Sequence, residues 1–333
     1  MTVESLKNIR EPRARAMIFV HGRDFKPAPE ELLDIDIAAV SAGLERDCPE
    51  MLLEFHSTAK RLAWYGDLSN AWLRDSGRNY DEKLDIGDRR RALRELCQLR
   101  KRKHFGMGRY ERLPGKTSLR EFAADVAAPI LGSIGLAGAL ISRVAADINE
   151  YWDAASDFGM RIRERVRTEI ASALEQGHKV MLISHGTGCI VAYDVLWQMS
   201  HHPDHAPRYE QMKVDQWLTL GAPLGDITVR RRVFGGQSKG RGRYPTNVLT
   251  WHNVSAEDDY LCHDGTLADD YCEMLNLRLV SSIRDYHIYN LAVRYGRSNP
   301  HSSVGYLVHP RVTKIVADWL RRDDKITLPT GTS

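Results

Sequence analysis

Cysteine is scarce in this 333-residue chain: Cys48, Cys97, Cys189, Cys262 and Cys272 are widely spaced and odd in number. That pattern argues against a disulfide framework and suits free thiols in a reducing compartment. Neither C-x-x-C nor H-E-x-x-H occurs, so no metal site is expected. The start, MTVESLKNIREPRAR, has no apolar core of the kind a secretory signal needs and no lipidation motif, and a cytoplasmic location is expected. The apolar stretch 127–141 is interrupted by one proline and three glycines and is too short to span a bilayer. Nucleotide fingerprints fail as well. Leu113-Pro-Gly-Lys-Thr117 ends like a phosphate loop, but the glycine required five positions before Gly115 is Tyr110. Gly106-Met-Gly108 follows no strand, so no cofactor is expected.

What the chain does have is material for a sizeable core: 43% hydrophobic against 27% charged residues, a balance that excludes disorder and collagen-like order. Its length allows one large α/β domain with an insertion, or two ordinary domains. The net charge of +3 hides two basic runs. Eleven Lys or Arg lie between Arg89 and Lys116 against Glu95 and Glu111, and six more between Arg230 and Arg243 without an acid. Solvated helix faces and loops are the plain account of such runs. A surface for an anionic ligand or a lipid headgroup is the sharper one. Nucleic acid is not expected, because no recognised binding module accompanies the charge.

Short apolar runs alternate with helical patterns. Strands are expected at Ala16–Val20, Arg61–Tyr65, Val180–Ile183, Gln216–Leu220, Asn247–Trp251 and near Tyr286–Tyr289, and helices at about 29–46, around Ile162–Leu174, from Ile190 and at about 310–321. This predicts a mainly parallel sheet with helices on both faces. Residues 1–69 and 149–333 are expected to form that core, and 70–148 a helical cap over the mouth of a pocket.

The chemistry concentrates at Ser184-His-Gly-Thr-Gly188, a sharp strand-to-helix junction. It resembles the G-x-S-x-G nucleophile elbow of the α/β-hydrolase superfamily. The resemblance extends to His21-Gly22 after the first core strand and to a late acid and histidine in the family's order, and it covers most of the chain. The serine position holds Gly186, which has no attacking atom, and Ser184 stands where the family has its first glycine. The neighbouring hydroxyls of Ser184 and Thr187 are weaker substitutes, since neither is at the apex. The resemblance implies an acid after the strand ending near Val254: Asp259 first, then Asp258, then Asp264. It implies His301 as the base, ahead of His287, His263 and His309, and oxyanion donors at Thr187 and in the Gly22-Arg23 loop. Three readings stand: an esterase- or lipase-like enzyme whose His301 activates water in the space left by Gly186; a catalytically silent relative that binds a small acyl or anionic ligand or a protein; and peripheral membrane contact through the insertion.

Overall fold

A computed structural model describes residues 13–115, 146–262 and 265–322. The stretch 127–141, Asp264 and His263 lie outside these residues. Six strands, β1 (Arg15–Val20), β2 (Ala59–Ala63), β3 (Lys179–His185), β4 (Val214–Leu220), β5 (Val248–Ala256) and β6 (Ser282–Ile288), form one sheet in the order β2-β1-β3-β4-β5-β6. Every neighbouring pair is parallel. Parallel neighbours need crossovers, and the intervening helices cover both faces.

The strands alternate accordingly. On β1 and β3, Ala16, Ile18, Val20, Val180 and Leu182 enter one core, while Met17, Phe19, Met181 and Ile183 enter the other. The first core is closed by helices α5 (Phe158–Glu175) and α6 (Gly188–His201), the second by α1 (Pro29–Asp47) and α7 (Pro310–Arg321). On α5, Ile162, Val166, Ile170 and Leu174 are buried at four-residue spacing, and Gly177 follows at φ +74, the left-handed turn that ends the helix. Trp217 and Trp251, neighbours in register on β4 and β5, stack with ring centroids 4.4 Å apart in the first core.

Residues 70–115 pack onto this frame. Helix α2 (Gly66–Asp75) places Asn70 against the loop after β1, where its side chain accepts from the Lys26 N–H (2.8 Å) and donates to the Lys26 carbonyl (2.7 Å). Helix α3 (Glu82–Cys97) buries Asp85, Asp88 and Arg89. Arg294 pairs with Asp85 at 2.6 Å and also with Asp88, and Arg89 pairs with Asp85 at 2.9 Å. Most of the first basic run is exposed, but Arg89 turns inward. Helix α4 (Ala146–Trp152) leads back to α5. Among the described residues no helix is long and apolar enough to cross a membrane.

Burial shifts several titratable groups toward their neutral forms. His21 and His309 are pushed down to about 3, His252 to about 4, and His185 well below its usual value, while Asp36 is raised to about 7 and Asp194 to about 6. Unfolding below pH 6.5 lets the four histidines take up protons, which removes stability as the pH falls. The two aspartates release protons on unfolding and oppose this. Near pH 5 the histidines outnumber the aspartates by roughly two protons, so stability should fall by about 2–3 kcal/mol per pH unit. Urea unfolding at pH 7.5 and pH 5 checks this: the midpoint should drop, and an unchanged midpoint would contradict the burial of these imidazoles.

Candidate functional site

Strand order reverses between β1 and β3, so the loops leaving their carboxyl ends part toward opposite faces and open a crevice. The strand β3 ends at His185, Gly186 turns at φ +56, and α6 begins at Gly188. A side chain strains that backbone, and glycine avoids the strain. The Gly186 N–H donates to the Leu220 carbonyl (2.9 Å), which pins the turn to β4. A β-carbon on residue 188 would run into the His21 carbonyl, and one on residue 22 would lie 2.8 Å from the His185 carbonyl oxygen. The elbow and the β1 loop therefore interlock through glycine contacts.

His21 holds this loop as a neutral scaffold. Its Nε2 accepts from the Tyr65 N–H (3.1 Å), so its Nδ1–H donates to the Gly22 carbonyl (2.9 Å). Burial, reinforced by Lys26, keeps it uncharged. The Tyr65 hydroxyl donates to the His21 carbonyl.

Asp259 and His301 come together above the elbow. His301 Nδ1 lies 3.0 and 2.9 Å from the two carboxylate oxygens of Asp259. The same carboxylate accepts from the Tyr306 hydroxyl (2.6 Å) and the Leu261 N–H (3.1 Å). With Nδ1–H donated to Asp259, the lone pair sits on Nε2. That atom is buried, has no hydrogen-bond partner among the described residues, and lies 2.7 Å from where a β-carbon on residue 186 would stand. At Gly221, φ +57, a β-carbon would approach Asp259 Oδ2 to 2.7 Å and His301 Nδ1 to 3.1 Å, so a second glycine turn makes room for the pair.

The backbone around His301 is fixed independently. The buried Asn290 side chain donates to the carbonyls of Pro300 (2.8 Å) and Ser302 (3.0 Å). His185, kept neutral mainly by burial, has its Nε2 2.9 Å from the His301 carbonyl, and the two imidazoles lie 4.4 Å apart.

The other sequence candidates fall elsewhere. Ser184 is corrected from candidate nucleophile to core hydroxyl: it is fully buried, accepts from Trp217 Nε1 (2.9 Å) and donates to Cys189 Sγ (3.2 Å). Asp258 accepts from the Tyr110 hydroxyl (2.9 Å), and it is Asp259 that meets His301. His287 pairs with Glu257 on the surface (2.6 Å), and His309 caps α7 by accepting from the Arg311 N–H (3.1 Å). Thr187 is buried at the start of α6, and its amide has no acceptor among the described residues. Arg23 reaches Asp24 through Nε (3.3 Å) and a terminal nitrogen (3.2 Å).

A cavity of about 150 Å³ adjoins these groups, lined by Gly22, Arg23, His185 and His301 and also by Lys26, Asp36, Arg89 and Arg294. Sequence reasoning missed this charged lining, Asn290 and Tyr306. One signal was legible: Asp36 lies four residues after Leu32 and four before Val40, on the buried face of α1. A carboxylate at such a position asks for an explanation.

No family model matches the chain, and comparison with curated proteins and with solved structures finds no match.

The two elbow glycines should respond differently to an added methyl group. Gly186→Ala meets strained backbone and the edge of a side chain, and should cost about 1–3 kcal/mol. Gly188→Ala presses on the backbone of β1, which cannot swing aside, and should cost more. Urea melts of both variants check the order; equal losses would mean that the β1 loop is not clamped by the elbow.

Proposed function

We propose that the protein is an α/β-hydrolase-like enzyme in which His301, held by Asp259, activates water against a small acyl ester or related carbonyl substrate. The observation that carries this reading is the pair of His301 bonds and approaches: Nδ1 on Asp259 and Nε2 over the Gly186 turn. A base belongs at that place in the superfamily, and the chain order Gly186, Asp259, His301 follows the family's order of nucleophile, acid and histidine.

The chemistry follows from those positions. With the imidazole swung clear of the Gly186 turn, Nε2 takes a proton from a water molecule as its oxygen attacks the carbonyl carbon. The developing oxyanion is met by backbone donors, with Thr187 and the Gly22-Arg23 loop in the family's places. The proton on Nε2 then passes to the leaving oxygen as the tetrahedral intermediate collapses. Asp259 keeps Nδ1 protonated, so that Nε2 carries the lone pair. Gly186 supplies no covalent step. The cavity volume of about 150 Å³ favours a short acyl group over a lipid chain, since pockets for larger organic ligands run to about 300–1,000 Å³.

The chain should hydrolyse a short activated ester such as p-nitrophenyl acetate. His301→Ala and Asp259→Asn should each lower the rate by about 10²–10⁴, the usual contribution of general-base catalysis. The native chain should not label at residue 186 with a fluorophosphonate, whereas Gly186→Ser should label once the imidazole makes room for the new side chain. If the native chain is inert and Gly186→Ser neither labels nor turns over, the reading falls and a silent, ligand-binding relative takes its place.

A further inference from the structure

The cavity beside His301 has an unusual wall. Asp36, on α1, is 6% exposed and its Oδ1 has no hydrogen-bond partner among the described residues. Arg89, on α3, is 9% exposed. Its Nε–H donates to Asp85 (2.9 Å), and its two terminal nitrogens have no acceptor among the described residues. A guanidinium on the lining of a cavity presents donors to whatever enters, and an oxyanion is the partner that fits it.

The lining points the same way. Arg23, Lys26, Arg89 and Arg294 line the cavity, with Asp24, Asp85 and Asp88 beside them. His21 and His185, which also line it, are held neutral. Burial raises the Asp36 carboxyl to about 7 despite the nearby Arg89 and Lys26. When ionised, Asp36 competes with an incoming anion for those cations.

We propose that this wall is an oxyanion subsite: Arg89 binds the carboxylate or phosphoryl group of a small acid, and Asp36 is the internal anion it displaces electrostatically. The subsite shares its cavity with His301 and so names a substrate class for the proposed hydrolase, short acyl compounds that carry an anionic group; in that respect it rests on the hydrolytic reading. The cavity of about 150 Å³ suits such a group, being equivalent to the share of liquid volume of about five waters.

Isothermal titration of the full chain with inorganic phosphate and, separately, with succinate tests it. Binding of either ion supports the subsite and says which oxyanion it prefers. Arg89→Met should weaken that binding at least tenfold, while Arg90→Met, which alters an exposed ion pair with Glu31, should leave it unchanged. Asp36→Asn should tighten binding several-fold at pH 8, a gain that misfolding cannot produce. Anion binding without ester hydrolysis would sink the hydrolytic reading and keep the subsite. Absence of binding by both ions, or an Asp36→Asn variant that binds no more tightly, would overturn the subsite even if His301-dependent hydrolysis of neutral esters were observed.

Discussion

The close approach of backbones at the carboxyl ends of β1, β3 and β4 is the constraint from which the rest of the site follows. The Gly22 and Gly188 contacts bring the β1 loop against the elbow, and the Gly186 N–H ties the elbow to the end of β4. Side chains at these places would hold the two loops apart. Neutral His21 and the Tyr65 hydroxyl hold the same loop from below. Strand order puts this junction at the crevice, so the sheet topology and the glycine contacts select one location between them.

Above that junction, the buried Asp259 carboxylate is well supplied with donors. It receives them from His301, Tyr306 and Leu261, and Asn290 grips the carbonyls on either side of His301. Such a bonded group keeps the imidazole in one orientation and one tautomer. The contrast lies elsewhere on the cavity lining, where Asp36 Oδ1 has no hydrogen-bond partner among the described residues. The proposed subsite assigns that part of the lining to a ligand.

Much of this arrangement was legible in the sequence because it depends on local signals. The apolar runs at 16–20 and 180–183, the four-residue spacing on α5 and the glycine-rich turn after Ser184 are all short-range patterns, and they located the sheet, its two-sided cover and the elbow. Asp259 and His301 were accessible through chain order, although 42 residues separate them. The charged wall was not, because it is assembled from α1, α3 and the strand-end loop near Arg294, which meet only in the fold. Arg89 in particular is the first member of a basic run whose remaining members are mostly exposed, so composition alone assigned it to a solvated face. Ser184 failed for a related reason: strand position predicts that it is near the elbow, but only the packing of Trp217 shows that its hydroxyl is already occupied.

Glycine at residue 186 has a structural consequence as well as a chemical one. In the absence of a side chain the imidazole of His301 settles over the turn, with Nε2 at a distance that a β-carbon would contest. His301 and the turn do not depend on a side chain at residue 186, because they are held by Asp259, Asn290 and the interlocked loops. In the proposed reaction water supplies the nucleophilic oxygen, and positioning of the substrate matters more, since no covalent bond to the protein fixes the acyl group between steps. In that proposal Arg89, on the lining of the same cavity, serves this task, because its attraction to a substrate oxyanion sets orientation without touching the reacting bond.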